Sequence, residues 1–223
     1  MAGPDDLTLR LERLDCCAVS DALDKLGLKG CVTGLVPLGA PRRIAGRVHT
    51  VKLVAKGSAP ASAGAPRHLG TTAIEAAAQG EIIVVEQRTG IDAGSWGGIL
   101  SLGAMLKDIA GVIADGPVRD VDEARALDFP VYARSATART ARDRIVEAAT
   151  DVVVTIGDVA VTPGDYAIAD ASGVAFIAAA DAPRVVETAE AIARREAAMA
   201  DALREGRRIT EVMGADYEHM LKK

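Results

Sequence analysis

Residues 94–127, GSWGGILSLGAMLKDIAGVIADGPVRDVDEARAL, run without a break from a Gly-rich loop to the pair Arg119-Asp120. In between come a small-residue helix, an apolar strand at 110–114 and a turn at Asp115-Gly116-Pro117. The stretch thus mixes helix and strand within a short length. The strand at 81–86 is likewise a continuous apolar run, suited to a position buried on both faces. Further strands are expected at 47–54, 131–134, 152–156, 159–161 and 166–177, the last broken by a hairpin turn at Asp170-Ala171-Ser172-Gly173. Helices are expected at 5–26, as one or two pieces, and at 71–79, closed by Gly80. Residues 57–64 read as a small-residue loop. Strands and helices mix without strict alternation, which argues against a Rossmann sheet.

Composition narrows the partners. Half the chain is hydrophobic (49%) but only 3% is aromatic, so Ala, Val, Gly and Ile must fill a close-packed core. Without aromatic platforms or a basic patch, nucleic-acid binding has little support. A net charge of −5 repels phosphate backbones and anionic membranes. No apolar run is long enough to span a bilayer and no signal peptide precedes the first helix, so a cytoplasmic protein is expected. Cys16, Cys17 and Cys31 form neither a disulfide framework nor a zinc pattern and read as small buried hydrophobes. No GxGxxG, GxxxxGK[ST], HExxH or GxSxG occurs, which removes the usual support for dinucleotide, P-loop, zincin and α/β-hydrolase chemistry.

Chemistry therefore centres on Arg119-Asp120. Arg offers a fixed cation and a planar fork suited to a carboxylate or enolate. Asp is a hard oxygen donor suited to Mg²⁺ or Mn²⁺. Asp120 followed by Glu123 is also the pattern of a capping box at the start of a short helix reaching Leu127. The two roles are compatible, because a carboxylate has about four acceptor positions. His68 precedes a predicted helix and Asp92 lies in the same loop region as the glycines, so both stay in view. The three histidines, His49, His68 and His219, are far apart in the sequence. Asp165 and Asp170 sit in turns and read as structural. Lys52 and Lys56 lack any sign of a depressed-pKa environment.

A C-terminal helix is expected from Asp181, with Asp181 as its cap and Pro183 in its first turn. Its apolar stripe runs Val185, Ala189, Ile192, Met199 and Leu203, and Glu196 fills the missing step. A carboxylate on an apolar face needs a partner or a task. Either it bonds an Arg such as Arg195, or the helix delivers it to another subunit. Residues 207–223 read as a polar tail.

The stretches VSDALDKLGL, WGGIL, AGVIADGPVRDVDEARALDFPVYAR, VTPGDYAIADASGVAFI and IARREAAMADALREG, in this order, resemble the RraA-like family, which includes class II pyruvate aldolases acting on 4-hydroxy-4-methyl-2-oxoglutarate. The resemblance spans about 15–206. It implies one domain over 1–223, of layered α/β/β/α architecture of the swivelling-domain type, assembled as a trimer or a dimer of trimers. The C-terminal helix would pack on a neighbouring subunit and carry Glu196 into its site. Carried over, Arg119 would bind the 2-oxo acid and Asp120 the metal. Gly97, Gly98, Ile99 and Leu100 would present backbone to the substrate.

One position departs from the pattern. Family loops read WG-acid-LL, with an acid implied in proton transfer, and this chain reads Trp96-Gly97-Gly98-Ile99-Leu100. Aldol cleavage needs a base for the C4 hydroxyl, whereas decarboxylation needs only enolate stabilisation. The expectation is a metal-dependent lyase for a small 2-oxo acid, with aldol cleavage hurt more than oxaloacetate decarboxylation. Two other readings remain at this stage: a non-catalytic regulator that binds a ribonuclease or another protein, and a diverged enzyme of a specialised pathway.

Overall fold

The computed structural model describes residues 4–58 and 68–214; part of the loop expected at 57–64, the end of the tail and His219 lie outside these. Two helices open the chain, α1 (Asp6–Leu11) and α2 (Cys16–Lys25). Asp5 and Asp15 cap them, each carboxylate accepting the amide three residues on. Gly27, at φ 67°, then turns the chain out of α2. Short strands β1 (Cys31–Val32) and β2 (Val36–Pro37) precede the twelve-residue β3 (Ile44–Ala55). After α3 (Thr71–Ala76) come β4 (Ile82–Glu86), α4 (Gly98–Leu106), β5 (Gly111–Val118), α5 (Val121–Ala126) and β6 (Val131–Ala136). The remainder is β7 (Ile145–Thr150), β8 (Val154–Ile156), β9 (Val159–Val161), β10 (Tyr166–Asp170), β11 (Gly173–Ile177), α6 (Ala182–Arg204) and α7 (Ile209–Val212).

The main sheet runs β1-β11-β10-β3-β4-β5-β6-β2, with β7 also on β3. From β3 to β6 the strands are parallel, and on the other side of β3 they are antiparallel. Strand β3 serves both halves: residues 44–47 pair with β10, and residues 48–52 with β4.

Three apolar clusters show how the halves stack. Val32, Ala167, Val174 and Phe176 of the antiparallel half meet Val48, Val84, Ile113 and Tyr132 of the parallel half, sealed by the β8–β9 hairpin. The opposite face of the antiparallel half packs Ala45, Ile168 and Ala175 on α1, α2 and the first part of α6. The opposite face of the parallel half packs Ile83, Val85 and Val112 on α3, α4 and α5. The layers are therefore α/β/β/α. Small side chains make this possible: Gly46 carries no Cβ where one would lie 2.4 Å from the Gly80 carbonyl.

Several local expectations are corrected. The 115–117 turn is strand: β5 continues to Val118 through an irregularity between Ala114 and Pro117, where a residue without an N–H is tolerated. Helix α3 stops at Ala76 rather than 79. Strands β1, β2 and β7 have no counterpart in the sequence reading. Asp181 does not cap α6; its carboxylate bonds Arg184 instead. Only Cys16 is a buried cysteine, while Cys17 and Cys31 are exposed. Asp165 and Asp170 are structural as expected, accepting the amides of Thr162 and Ala179, and of Cys16 and Ser172. Among the described residues, no helix is long and apolar enough to cross a membrane.

The start of α1 is pinned to both β3 and β10. Asp5 accepts from Arg47 and from the Tyr166 hydroxyl, with the Arg47 guanidinium 4.5 Å above the Tyr166 ring. Burial pushes the Asp5 carboxyl up, but the Tyr166, Thr8 and Arg47 donors outweigh it and hold the group at about 2, below its ordinary 3.8. A depressed carboxylate contributes stability that is complete above the unfolded value and lost as pH falls towards the folded one. Because the side chain is 36% exposed, the contribution is discounted to about 1 kcal/mol. Asp5→Asn is expected to lower unfolding stability by that amount at pH 7 and by much less at pH 2. Denaturant titrations at the two pH values check this; an equal deficit at both would contradict it.

Candidate active site

The loop from 87 to 97 is tied down at many points. The Gln87 amide nitrogen donates to the carbonyls of Ile91 and Ala93. Ser95 donates to the Pro117 carbonyl through both its amide and its hydroxyl, and the Arg119 amide donates to the Trp96 carbonyl. Trp96 is buried, its indole N–H bonded to the Ser101 hydroxyl. These contacts fasten the entry of α4 to the end of β5, so the glycines and Arg119-Asp120 meet although 22 residues separate Gly98 from Asp120.

Asp120 sits in the left-handed region (φ 55°, ψ 40°), which Asp tolerates better than most residues. Its side chain makes no capping bond to α5. Instead Oδ2 accepts the Gly98 amide at 3.1 Å, and Arg119 Nε lies 3.1 and 3.2 Å from the two carboxylate oxygens. The expected capping box is thus corrected: Asp120 caps the neighbouring helix α4, not its own. A left-handed Asp120 turns its carboxylate away from the α5 amides and towards the glycine loop.

Gly97 and Gly98 are there for space. Gly97 is extended, and Gly98 is not left-handed either. A Cβ on Gly97 would lie 2.8 Å from Asp120 Oδ2, and one on Gly98 only 1.7 Å from Glu123 Oε2. Two carboxylates therefore rest directly on the glycine backbone. Glu123 was read only as part of a cap; its position one helical turn beyond Asp120 is the signal that both face the same way.

Arg119 offers its two Nη nitrogens, for which no protein acceptor is found among the described residues, at the edge of a cleft of about 150 Å³. His68, Leu69, Trp96, Gly97, Gly98, Ile99, Leu100, Thr140 and Ala141 complete its walls. His68 is placed there because the Gly70 amide is held by Glu147 of the unforeseen β7. The start of α4 leaves the amides of Ile99 and Leu100 without intrahelical acceptors, an arrangement suited to an anion. Ile99 is 80% exposed and Leu106 71%, on the outward face of α4.

Two expected participants lie elsewhere. Asp92 does not line the cleft; it pairs with Arg139 at 3.2 Å, two residues before the lining residue Gly94. Glu196 is not brought to Arg119 within the chain: it lies exposed on α6, its carboxyl raised first by burial and then by Asp21 and Asp15. No bond to Arg195 or another Arg is found for it among the described residues. Lys52 and Lys56 are paired with Glu86 and Asp143.

Among the described residues no three His, Cys, Asp or Glu side chains form a metal cage. The donors present are hard carboxylate oxygens, Asp120 with Glu123 beside it. Such a set suits an ion that keeps water and takes oxygens from its ligand, as Mg²⁺ or Mn²⁺ does.

A family model described as RraA-like, Aldolase/RraA, matches residues 16–176. The chain belongs to the RraA-like family. Its relatives include protein DlpA of Legionella pneumophila (26% identical over 77% of this chain, but only 27% of that protein). A putative 4-hydroxy-4-methyl-2-oxoglutarate aldolase of Halalkalibacterium halodurans is 27% identical, covering 83% of this chain and 82% of that one. An uncharacterized protein from Pseudomonas syringae superposes with a TM-score of 0.83 at 25% identity, over 96% of this chain and all of the other. Streptomyces coelicolor RraAS2, described as an unusual member of the RNase ES inhibitor RraA protein family, shares the fold with a TM-score of 0.73 at 24% identity, over 88% of this chain and 96% of that one. Relatives of this RraA-like chain thus carry enzyme and inhibitor names on one architecture, and function must be argued from the cleft.

Proposed function

We propose that this RraA-like chain is a divalent-metal-dependent lyase for a small 2-oxo acid. The observation that carries the reading is the convergence, in one cleft, of the free end of Arg119, the carboxylate of Asp120 and the open amides of α4. The substrate carboxylate would take the amides of Ile99 and Leu100. The Arg119 Nη nitrogens would donate to the 2-oxo oxygen, where negative charge develops as the C3–C4 bond breaks and its electron pair enters the enolate. Mg²⁺ or Mn²⁺, held by Asp120, would supply Lewis-acid stabilisation of that charge. Trp96 and Leu100 keep one wall dry. Glu123, whose carboxylate lies against Gly98 from the hollow beyond Asp120, would be the nearest further group to hold or move a proton. Glu196 would reach the cleft only from a neighbouring copy, in a trimer or a dimer of trimers, next to the 97–100 loop.

Native mass spectrometry with Mg²⁺ and oxalate, a mimic of the pyruvate enolate, tests both parts at once. The expected species is a trimer or hexamer that retains one oxalate per chain with Mg²⁺ and far less without it, alongside measurable conversion of oxaloacetate to pyruvate. A monomer would remove Glu196 from the site. No oxalate retention and no conversion would overturn the lyase and favour a regulator that binds a protein partner.

A further inference from the structure

Residues 137–144, TARTARDR, form a strap that walls the cleft on one side and a second hollow on the other. Both ends of its first half are pinned: the Thr137 amide donates to the Val118 carbonyl, and the Gly94 amide to the Arg139 carbonyl at 2.9 Å. Gly94 is the spacer between the two arginines, since a Cβ there would meet Arg119 Cγ at 2.9 Å. The strap carries three cations with different duties. Arg144 staples the strap's own carbonyls at Thr140 and Arg142. Arg142 anchors its amide on the Thr140 hydroxyl. Among the described residues, Arg139 is the strap cation that pairs with the 87–97 loop, one Nε to one oxygen of Asp92, with 64% and 55% of the two side chains exposed. An exposed single-point pair of this kind is worth little and is easily exchanged.

The two hollows differ in sign. Beyond Asp120 the second hollow presents Asp122 and Glu123, which repel an anionic tail. The cleft side presents His68 and Thr140, and the Arg139–Asp92 pair stands on the segments next to its lining residues Thr140 and Gly94. A substrate anchored at Arg119 would therefore direct a second negative group towards Arg139. We propose that Arg139 is the specificity residue of this site: it exchanges Asp92 for the distal carboxylate of a 2-oxo dicarboxylic acid, and Asp92 holds the guanidinium ready until that carboxylate arrives. The planar fork of Arg suits the exchange, because a free carboxylate can be gripped through two N–H bonds where Asp92 offers one. The inference rests on the lyase reading of the same cleft.

Calorimetry of the Mg²⁺-loaded protein with oxalate, 2-oxoglutarate and 2-oxopentanoate separates the two. The wild type is expected to bind 2-oxoglutarate about tenfold or more tighter than 2-oxopentanoate, which lacks the distal carboxylate. Arg139→Gln should erase that preference and leave oxalate unchanged. Asp92→Asn should strengthen 2-oxoglutarate by about two- to fivefold, as the competing carboxylate is removed. If both variants weaken all three ligands alike, Arg139–Asp92 is only a tie between loops and the inference falls. If oxalate binds and neither variant changes the 2-oxoglutarate preference, the inference falls while the lyase reading stands. Failure of the wild type to bind oxalate overturns both.

Discussion

Asp120→Asn is expected to abolish Mg²⁺-dependent oxalate binding and to lower lyase turnover by about a hundred- to thousandfold, the usual cost of losing one group that stabilises developing charge. The fold should hardly notice. Asn is, with Asp, among the few residues that tolerate the left-handed backbone found here. Its amide oxygen can still accept the Gly98 amide that Asp120 now accepts. What is lost is the charge on a pair with Arg119 that is about one-third exposed, worth up to about 1 kcal/mol. Asp120→Ala is the poorer probe, because it adds backbone strain of roughly 1–2 kcal/mol and orphans the Gly98 amide. Calorimetry with oxalate and a thermal melt on the Asn variant decide the point. Unchanged oxalate binding would leave Asp120 as nothing more than the cap of α4.

The second large effect is a gain. Wild-type protein is expected to decarboxylate oxaloacetate while cleaving 4-hydroxy-2-oxo acids poorly, and Gly98→Asp to raise aldol cleavage by about one to three powers of ten. The backbone permits the change, since Gly98 is not left-handed and opens α4, where a carboxylate is favoured by the exposed amides. The obstacle is Glu123, whose Oε2 fills the space of the new Cβ; being the far end of a flexible side chain, it can swing towards the hollow beyond Asp120. The crowded carboxylates then repel, which raises the proton affinity of one of them and suits a base. Steady-state assays of both reactions on both proteins measure this. Efficient aldol cleavage by the wild type that Gly98→Asp leaves unchanged would mean that Glu123 or Glu196 already serves as the base.

Most of the elements are legible because the strands are apolar runs and the helices are punctuated by Gly and Asp, while their layering follows from the resemblance to the RraA-like family. What escaped is instructive. Strand β5 was cut short at Asp115-Gly116-Pro117 because those residues spell a turn locally; in the fold Asp115 is buried, gripped by Arg134 and the Gly157 amide, and tertiary contacts outweigh the local propensity. Strand β7 carries Glu147 and Thr150, whose polar side chains hide its alternation while they bond each other and the Gly70 amide. At the site, Arg119 and Asp120 were visible as chemistry, yet the partner of Asp120 was sought three residues away and lies 22 residues back. Glu123 was mistaken for a cap for the same reason. Spacing rules see along the chain, and this cleft is assembled across it. Glu196 shows the complement: its odd place on an apolar stripe was legible, but a single chain offers it no counter-charge.

Strand β3 is the hinge pin on which both halves of the sheet are hung, yet it contributes nothing to the cleft. The residues that line the cleft come from loops and helix ends of the parallel half. Architecture and chemistry are thereby held in separate stretches of the sequence: the shared strand and its small-residue neighbours build the sheet, while segments 68–69, 94–100, 119–120 and 140–141 line the cleft. That separation gives a physical reason why aldolase and ribonuclease-inhibitor names occur together on a single scaffold.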